Sequence, residues 1–500
     1  MRLAQLLDGV LVTKLFQITY GRFAVTHDVE IRSLQYDSRK VQRGDCFVAI
    51  RGTGADGHRF VGAAINSGAA AVVLENDAAL PESIFLHAGV IKIVVPDSRK
   101  ALALMSANYY GHPSHHLTMV GVTGTNGKTT TTHIIRSILE AAGQNVGLIG
   151  TIEYNIGSQV IPASHTTPES LELNQLLARM VESGCSSVSM EVSSHALHQY
   201  RIHGLQYNAA VFTNLTQDHL DYHGSMGEYF EAKKLLFDGL PEGSCAVTNA
   251  DDEWGWKILG STRARQIAYG VNATADVQAR DIQLSLNGTS FTIWYRDEST
   301  LISSPLVGRF NVYNILAAFS AGIALELSTD AIATGIADVK SVRGRFERIP
   351  SPRGWTAVID YAHTPDALEK CLQTIRDVLP EANRGRIVTV FGAGGDRDRT
   401  KRPLMGSVVG SLSDLVVVTS DNPRTEDPQR IMDDIIKGIP SGVTMTREVD
   451  RRTAIEAALR QAKPGDVILI AGKGHEDYQV IGEEKIHFSD REIVEEVIRS

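Results

Sequence analysis

Val120-Gly121-Val122-Thr123-Gly124-Thr125-Asn126-Gly127-Lys128-Thr129-Thr130 is the stretch from which the rest of the chain can be read. Apolar residues run into a glycine turn. Gly-Lys-Thr then opens a helical pattern, with Ile134, Ile135, Ile138 and Leu139 on one face and Gly143 as its stop. A glycine turn between a strand and a helix N-terminus points several backbone N–H groups at one spot, and the helix dipole adds to their pull on phosphate. In such a turn Lys128 reaches the outer phosphates and Thr129 holds Mg²⁺. The strict phosphate-loop pattern wants glycine where this chain has Val122, so the match is to the shorter Gly-Thr-Asn-Gly-Lys-Thr. A glycine turn can also be purely structural. The attached Lys-Thr and the clean apolar strand before it favour phosphate binding.

A length of 500 residues points to three domains of ordinary size. The net charge of −9 argues against a general nucleic-acid binder, which carries a basic surplus. Cys46, Cys185, Cys245 and Cys371 lie far apart without metal-ligand spacing and read as reduced thiols of a cytosolic protein. No basic start with a long apolar run marks a signal peptide, and no apolar segment is long enough to span a membrane.

Residues 1–98 read as a small α/β unit, with strands at Asp45–Ile50, Ala70–Leu74 and Ile91–Val95 and a helix at Phe60–Ile65. Tyr36-Asp37-Ser38-Arg39 is a polar corner, by itself a turn. Residues 99–345 form the phosphate-loop unit. Its second strand, Cys185–Met190, ends in Glu191, and ligands of parallel α/β sheets sit outside the carboxyl ends of strands. A carboxylate beside a phosphate loop is placed to take Mg²⁺. A third strand, Ala209–Thr213, leads to Asp218-His219-Leu220-Asp221-Tyr222-His223, which reads equally as a site or as a solvated capping cluster. Glu228–Phe237 is a short amphipathic helix on which Lys233 reads as a solvated residue. Asn311 and Asn314 precede an apolar helix, Ile315–Leu325, and either present amides to a base or cap its N-terminus.

Residues 346–500 alternate strands with helices, which predicts a parallel, Rossmann-like doubly wound sheet. Four strands end in polar loops at Asp360-Tyr361-Ala362-His363, Gly392–Asp398, Ser420–Arg424 and Ala471–Glu476. On a parallel sheet these loops share one edge and line one pocket. The glycine loop at 392–395 lacks the dinucleotide spacing, so no NAD site is expected.

Thr123–Thr130, Glu191-Val192-Ser193-Ser194-His195, Asp218–His223, Asp360-Tyr361-Ala362-His363-Thr364-Pro365 and Gly472-Lys473-Gly474-His475-Glu476 together resemble the Mur ligases, cytoplasmic amide-bond ligases of peptidoglycan synthesis. The resemblance spans nearly the whole chain. It implies an α/β protein of three domains: a UDP-binding N-terminal domain, a central P-loop ATPase domain and a C-terminal domain for the incoming amino acid. It places Tyr36 and Ser38 at the UDP end. Thr166, Thr167, Ser193, Gln199 and Arg201 fall on the pyrophosphate and muramoyl-dipeptide. ATP falls to Gly124, Thr125, Asn126, Gly127, Lys128, Thr129 and Thr130, with Asn311, Arg343 and Asp360. Lys233 becomes a carbamylated lysine that, with Thr129, Glu191 and His219, holds Mg²⁺. That reverses the bland reading of its helix on the family's warrant alone.

Within the family, Asp421-Asn422-Pro423-Arg424 marks ligases that add meso-diaminopimelate. The chemistry agrees. Diaminopimelate differs from lysine by a distal carboxylate, and a guanidinium pairs a carboxylate bidentately. Arg424, Asn422, Gly472 and Glu476 are expected to read the distal head and Arg397 the other carboxylate. The implied reaction makes an acyl phosphate from ATP and the D-glutamate side chain, which the amine then attacks. Catalysis falls to Lys128, Glu191, His219 and Lys233, and the third domain is expected to close on the second. The expected partners are small molecules only, on a monomer. The alternatives are a nucleotide-driven switch, a lysine-adding sister ligase and a folylpolyglutamate-type ligase.

Overall fold

The phosphate-loop strand, Thr118–Thr123, lies inside an eleven-stranded sheet, between Ser187–Glu191 and Ala209–Phe212. All three strands are parallel, with Glu191 opposite Val122 and Phe212 opposite Thr123. Their carboxyl ends therefore open together on the glycine turn. Residues 1–16, 19, 20, 23, 24, 29–52, 54–379 and 385–500 are described by this computed structural model.

Alternation along these strands feeds two cores. Val120 and Val122 pack with helices Lys128–Ala141, Arg309–Ala324 and Thr329–Asp338; Met119, Val188 and Met190 pack with Ser170–Glu182 and Met226–Asp238. The apolar stripe of Ile134, Ile135, Ile138 and Leu139 is fully buried, which docks the phosphate-loop helix rigidly on the sheet.

The N-terminal sheet runs Lys14–Phe16, Ile91–Val94, Ala71–Leu74, Cys46–Val48, Leu34–Gln35 and is parallel except at its first strand. Helix Ser98–Tyr109 adds Ala101, Leu102 and Met105 to the core of this sheet. The C-terminal sheet runs Glu347–Pro350, Thr356–Asp360, Val467–Ala471, Ile387–Phe391, Leu415–Val418, Met445–Arg447, again parallel beyond an antiparallel edge. Apolar cores cover both of its faces, so it is doubly wound. The four strands expected to carry polar loops lie side by side and open on one edge.

The structure differs from the sequence reading in three places. The apolar helix begins at Arg309 rather than Ile315, so Asn311 and Asn314 lie inside it and neither caps it. Strands Val146–Ile149, Glu153–Ile156 and Gln159–Pro162 extend one side of the central sheet. Edge strands Glu347–Pro350 and Met445–Arg447 complete the third; the latter is wholly exposed and carries no apolar alternation to reveal it. Among the described residues no helix is long and apolar enough to cross a membrane.

A buried ion pair ties the third sheet to its loops. Arg451 donates to both carboxylate oxygens of Asp490 at 2.8 Å, and also to the Ala471 carbonyl at 3.0 Å and the Ser420 carbonyl at 3.4 Å. Those carbonyls immediately precede Gly472 and Asp421. Removing one partner of such a pair strands the other charge in the interior. Asp490→Ala is expected to destabilise the third domain by about 3–5 kcal/mol. Urea titration followed by hydrogen exchange checks this: protection should fall first in 415–418 and 467–471.

Candidate active site

Two lysines meet at the glycine turn. Lys128 Nζ donates to the carbonyls of Gly124 at 2.9 Å and Thr125 at 2.8 Å, and Lys233 Nζ donates to the same Gly124 carbonyl at 2.9 Å. Lys233 also lies over the Tyr229 ring. It faces inward because helix Met226–Asp238 packs that side on the sheet, burying Tyr229, Phe230, Lys233, Leu236 and Phe237. Burial lowers the pKa of Lys128, and burial followed by the charge of Lys128 lowers that of Lys233 well below the ordinary lysine range. Among the described residues neither ammonium forms an ion pair. Gly127 sits at φ 87°, and a Cβ there would strike Asn314 Oδ1.

A cleft of about 780 Å³ opens over this turn. Thr125, Asn126, Gly127, Lys128, Thr129, Thr130, Glu191, His219, Lys233 and Asp360 line it. Glu191 is buried; its Oε1 accepts from the Thr151 backbone N–H at 2.8 Å and its Oε2 from the Thr151 hydroxyl at 3.0 Å. His219 adopts φ 54° and packs edge-on against His195, 4.9 Å between ring centres. Asp360 accepts from the backbone N–H groups of Phe346 and Ala362, and burial pushes its pKa up. Asn311 is buried behind the cleft, donating to the Val307 carbonyl and accepting from Asn314, which does line it.

Thr166, Thr167, Ser193 and Arg201 line the far end of the same cleft. The Thr167 hydroxyl donates to the Glu191 carbonyl and accepts from Ser193 N–H, and Arg201 donates to the Thr167 carbonyl at 2.9 Å and to the Gln199 side chain at 2.8 Å. Tyr36 donates to Glu172 at 2.8 Å, close enough to Arg201 to feel its charge. Ser38 opens a short 3₁₀ turn capped by Asp37, outside the cleft lining.

The third-domain loops converge as a second group. Asn422 donates to Glu476 at 2.9 Å, and its Oδ1 accepts from Val480 N–H. Arg424 sits at φ 50° with its guanidinium on the Gly395 carbonyl, 2.7 Å away. Its backbone is held in that strained region by hydrogen bonds with Val480 and Gly482. Pro423 and Gly472 sit tightly here: a Cβ on Gly472, at φ 114°, would approach Asp421 Oδ2 to 2.6 Å. Arg397 is exposed, donating to the carbonyl of Asp396.

The sequence reading missed three residues. Arg343 points outward toward Asp477, 3.9 Å away, whereas Arg345 lines the cleft and donates to the Thr129 hydroxyl at 3.1 Å. The only signal was the pair of arginines about Gly344, and a residue's sequence position does not tell which one turns inward. Asp366 accepts from Asn126 at 3.1 Å across the domain junction. Lys473 is fully buried and bonds Glu476 at 3.1 Å and Asn422 at 3.2 Å, so the acidic loop already holds one cation.

Three family models match the chain: "Mur ligase family, catalytic domain" over residues 30–110, "Mur ligase middle domain" over 122–322 and "Mur ligase, glutamate ligase domain" over 344–474. The chain belongs to the Mur ligase family. It is similar to the UDP-N-acetylmuramoyl-L-alanyl-D-glutamate–2,6-diaminopimelate ligases of Gloeobacter violaceus, 49% identical over 94% of each chain, and Parabacteroides distasonis, 46% identical over 94% of this chain and 95% of that one. A solved structure of a ligase of that name superposes with TM-score 0.67 at 34% identity, covering 94% of this chain and 95% of the other. The fold is shared with a Thermotoga maritima MurF ligase in complex with ADP, TM-score 0.63 at 21% identity, covering 94% of this chain and 98% of that one.

Burial first of all holds His195, His219 and His223 at about 4 in this Mur ligase. Unfolded, each titrates near 6.5. Between those values the unfolded chain binds protons that the folded one does not, so stability rises with pH. Stability is therefore expected to be full above about pH 6.5 and to fall progressively toward about pH 4. Thermal denaturation across that range checks it. Replacing the three histidines by glutamine should make the profile shallower, with His133 and His475, lowered by burial to about 4 and about 3, keeping part of the slope.

Proposed function

We propose that this ligase joins meso-2,6-diaminopimelate to the D-glutamate side-chain carboxylate of UDP-N-acetylmuramoyl-L-alanyl-D-glutamate, using ATP, in the cytoplasm. The carrying observation is that the Arg424 guanidinium, resting on the Gly395 carbonyl, belongs to the same group of loops in which Asn422 holds Glu476. A carboxylate and an ammonium beyond three methylenes from the reacting end match that pairing, and lysine lacks the carboxylate. The names of the relatives above support the same reading. The units would be 1–98 for UDP, 99–345 for ATP and 346–500 for the amino acid.

The reaction overcomes a poor electrophile. The glutamate carboxylate attacks the γ-phosphate of ATP, giving an acyl phosphate and ADP. Lys128, whose ammonium now rests on loop carbonyls, would swing to the phosphates and neutralise the charge that develops there. Arg345, rather than Arg343, is the guanidinium positioned to join it. Thr166, Thr167, Ser193, Gln199 and Arg201 would hold the dipeptide end, with Tyr36 and Ser38 toward the uridine. The amine then attacks the acyl carbon and phosphate leaves. Much of the rate would come from holding three substrates together.

Mg²⁺ fits these residues conditionally. It prefers one or two carboxylates plus substrate phosphate oxygens. Glu191 and Thr129 offer hard oxygen at the cleft and His219 a nitrogen, but the Lys233 amine is no oxygen ligand. Burial and the neighbouring Lys128 lower its proton affinity, which favours the neutral amine; that form can add to CO₂, losing a proton and becoming a carbamate. With that oxygen pair in place the set fits, and bound Mg²⁺ would shield phosphate charge.

Phosphate release is expected only when the UDP-dipeptide, diaminopimelate and ATP are all present, with little release when lysine replaces diaminopimelate. Arg424→Ala should cost about 2–5 kcal/mol in diaminopimelate binding and erase its advantage over lysine. Release without the dipeptide, or an unchanged preference in the variant, would sink the reading. A glutamate-adding reaction on a folate would instead be supported by turnover with a pteroyl substrate.

A further inference from the structure

An amino acid arrives at neutral pH with an ammonium, which has no lone pair. One proton must leave before the nitrogen can attack an acyl phosphate. Two acids at the domain junction are already committed. Both oxygens of Asp360 accept backbone N–H groups, and Glu476 is tied to Lys473 and Asn422. His363 is not. Its Nδ1 lies 2.9 Å from the Tyr361 carbonyl oxygen, which can only accept, so Nδ1 carries the hydrogen and Nε2 the lone pair. Among the described residues nothing hydrogen-bonds Nε2. The ring packs edge-on against Tyr361, 4.7 Å between centres, and lines the cleft.

Resting on the ligase reading, we propose that His363 takes the proton from the incoming ammonium at the junction of the phosphate site and the amino-acid loops. The charged groups around it suit that task. Lys401, Asp218 and Asp421 all act on the ring, and His219 feels it in turn. Burial first, then Lys401, keep the imidazole neutral and its lone pair available. Asp218, from the phosphate side, and Asp421, from the amino-acid side, steady the imidazolium that forms. The balance is complete: one ammonium proton passes to Nε2, the free amine forms the C–N bond, and the C–O bond to phosphate breaks. The second amine proton leaves with the phosphate, and the imidazolium returns its own to water.

His363→Asn keeps an N–H for the Tyr361 carbonyl and removes the Nε2 lone pair. The comparison reaction uses hydroxylamine, which is unprotonated at neutral pH and traps an acyl phosphate as a hydroxamate without a base. In H363N, ligation of diaminopimelate at pH 7 is expected to fall about 100-fold or more. Hydroxamate formation should stay within about twofold, since that step bypasses the base. The ligation deficit should shrink about tenfold per pH unit as solution deprotonates the amine. Equal loss of both reactions with the wild-type pH profile overturns the assignment in favour of a structural role, and unchanged ligation overturns it outright. A wild type that forms no hydroxamate from ATP and the UDP-dipeptide overturns the ligase reading, and this assignment with it.

Discussion

Two lysine amines, Lys233 fully buried and Lys128 at the cleft wall, share the carbonyl of Gly124, and among the described residues neither pairs directly with a carboxylate. Burying a cation without a directly paired counter-charge is costly, and a second cation beside it adds to that cost, which Glu191 and Asp218 offset only from a distance. The contrast within this chain is Lys92, as buried as Lys233 but 2.6 Å from Asp77. Lys92 is a satisfied structural ion; Lys128 and Lys233 have unspent charge or, when neutral, unspent basicity. Much of the central domain serves to hold them there. The parallel strands bring Glu191 alongside the glycine turn, the helix stripe docks the turn on the sheet, and helix Met226–Asp238 turns Lys233 inward.

The junction with the third domain extends the same device. Arg345 adds a third cation at Thr129, and Asn126 reaches Asp366. The segment carrying Arg345 is itself seated on the loop that carries Glu476, since a Cβ on Gly344 would strike the backbone of His475. Tyr361 donates its N–H to the Gly344 carbonyl, and Glu347 accepts the Gly344 N–H. The arginine at the phosphate side and the acidic loop at the amino-acid side are therefore parts of one packed body, and displacement of either is felt by the other.

How much of this was legible depended on distance along the chain. The phosphate loop, Glu191 and the four charged loops each announce themselves within about ten residues, because strand period, helix stripe and strand-end polarity are local signals. The start of the helix at Arg309 was not legible, since Gly308 supplies no side-chain cap and the polar residues before Ile315 look like a loop. Nor was Lys473, whose burial depends on Asn422 reaching it from the loop after another strand, although its second partner, Glu476, is a near neighbour.

The sequence by itself determined the α/β class, the parallel sheets, the phosphate loop and the family to which the motifs belong. All of these rest on periodicity and on neighbours within a turn or a strand. Only the tertiary structure decided which of Arg343 and Arg345 enters the cleft, that Lys233 is a buried amine, and that His363 lines the cleft with, among the described residues, no partner on Nε2. Those outcomes hang on burial and on partners more than a hundred residues away, such as Lys233 on Gly124 and Arg345 on Thr129. A side chain's charge state and direction follow from what packs around it, and that is settled only when the sheets have closed.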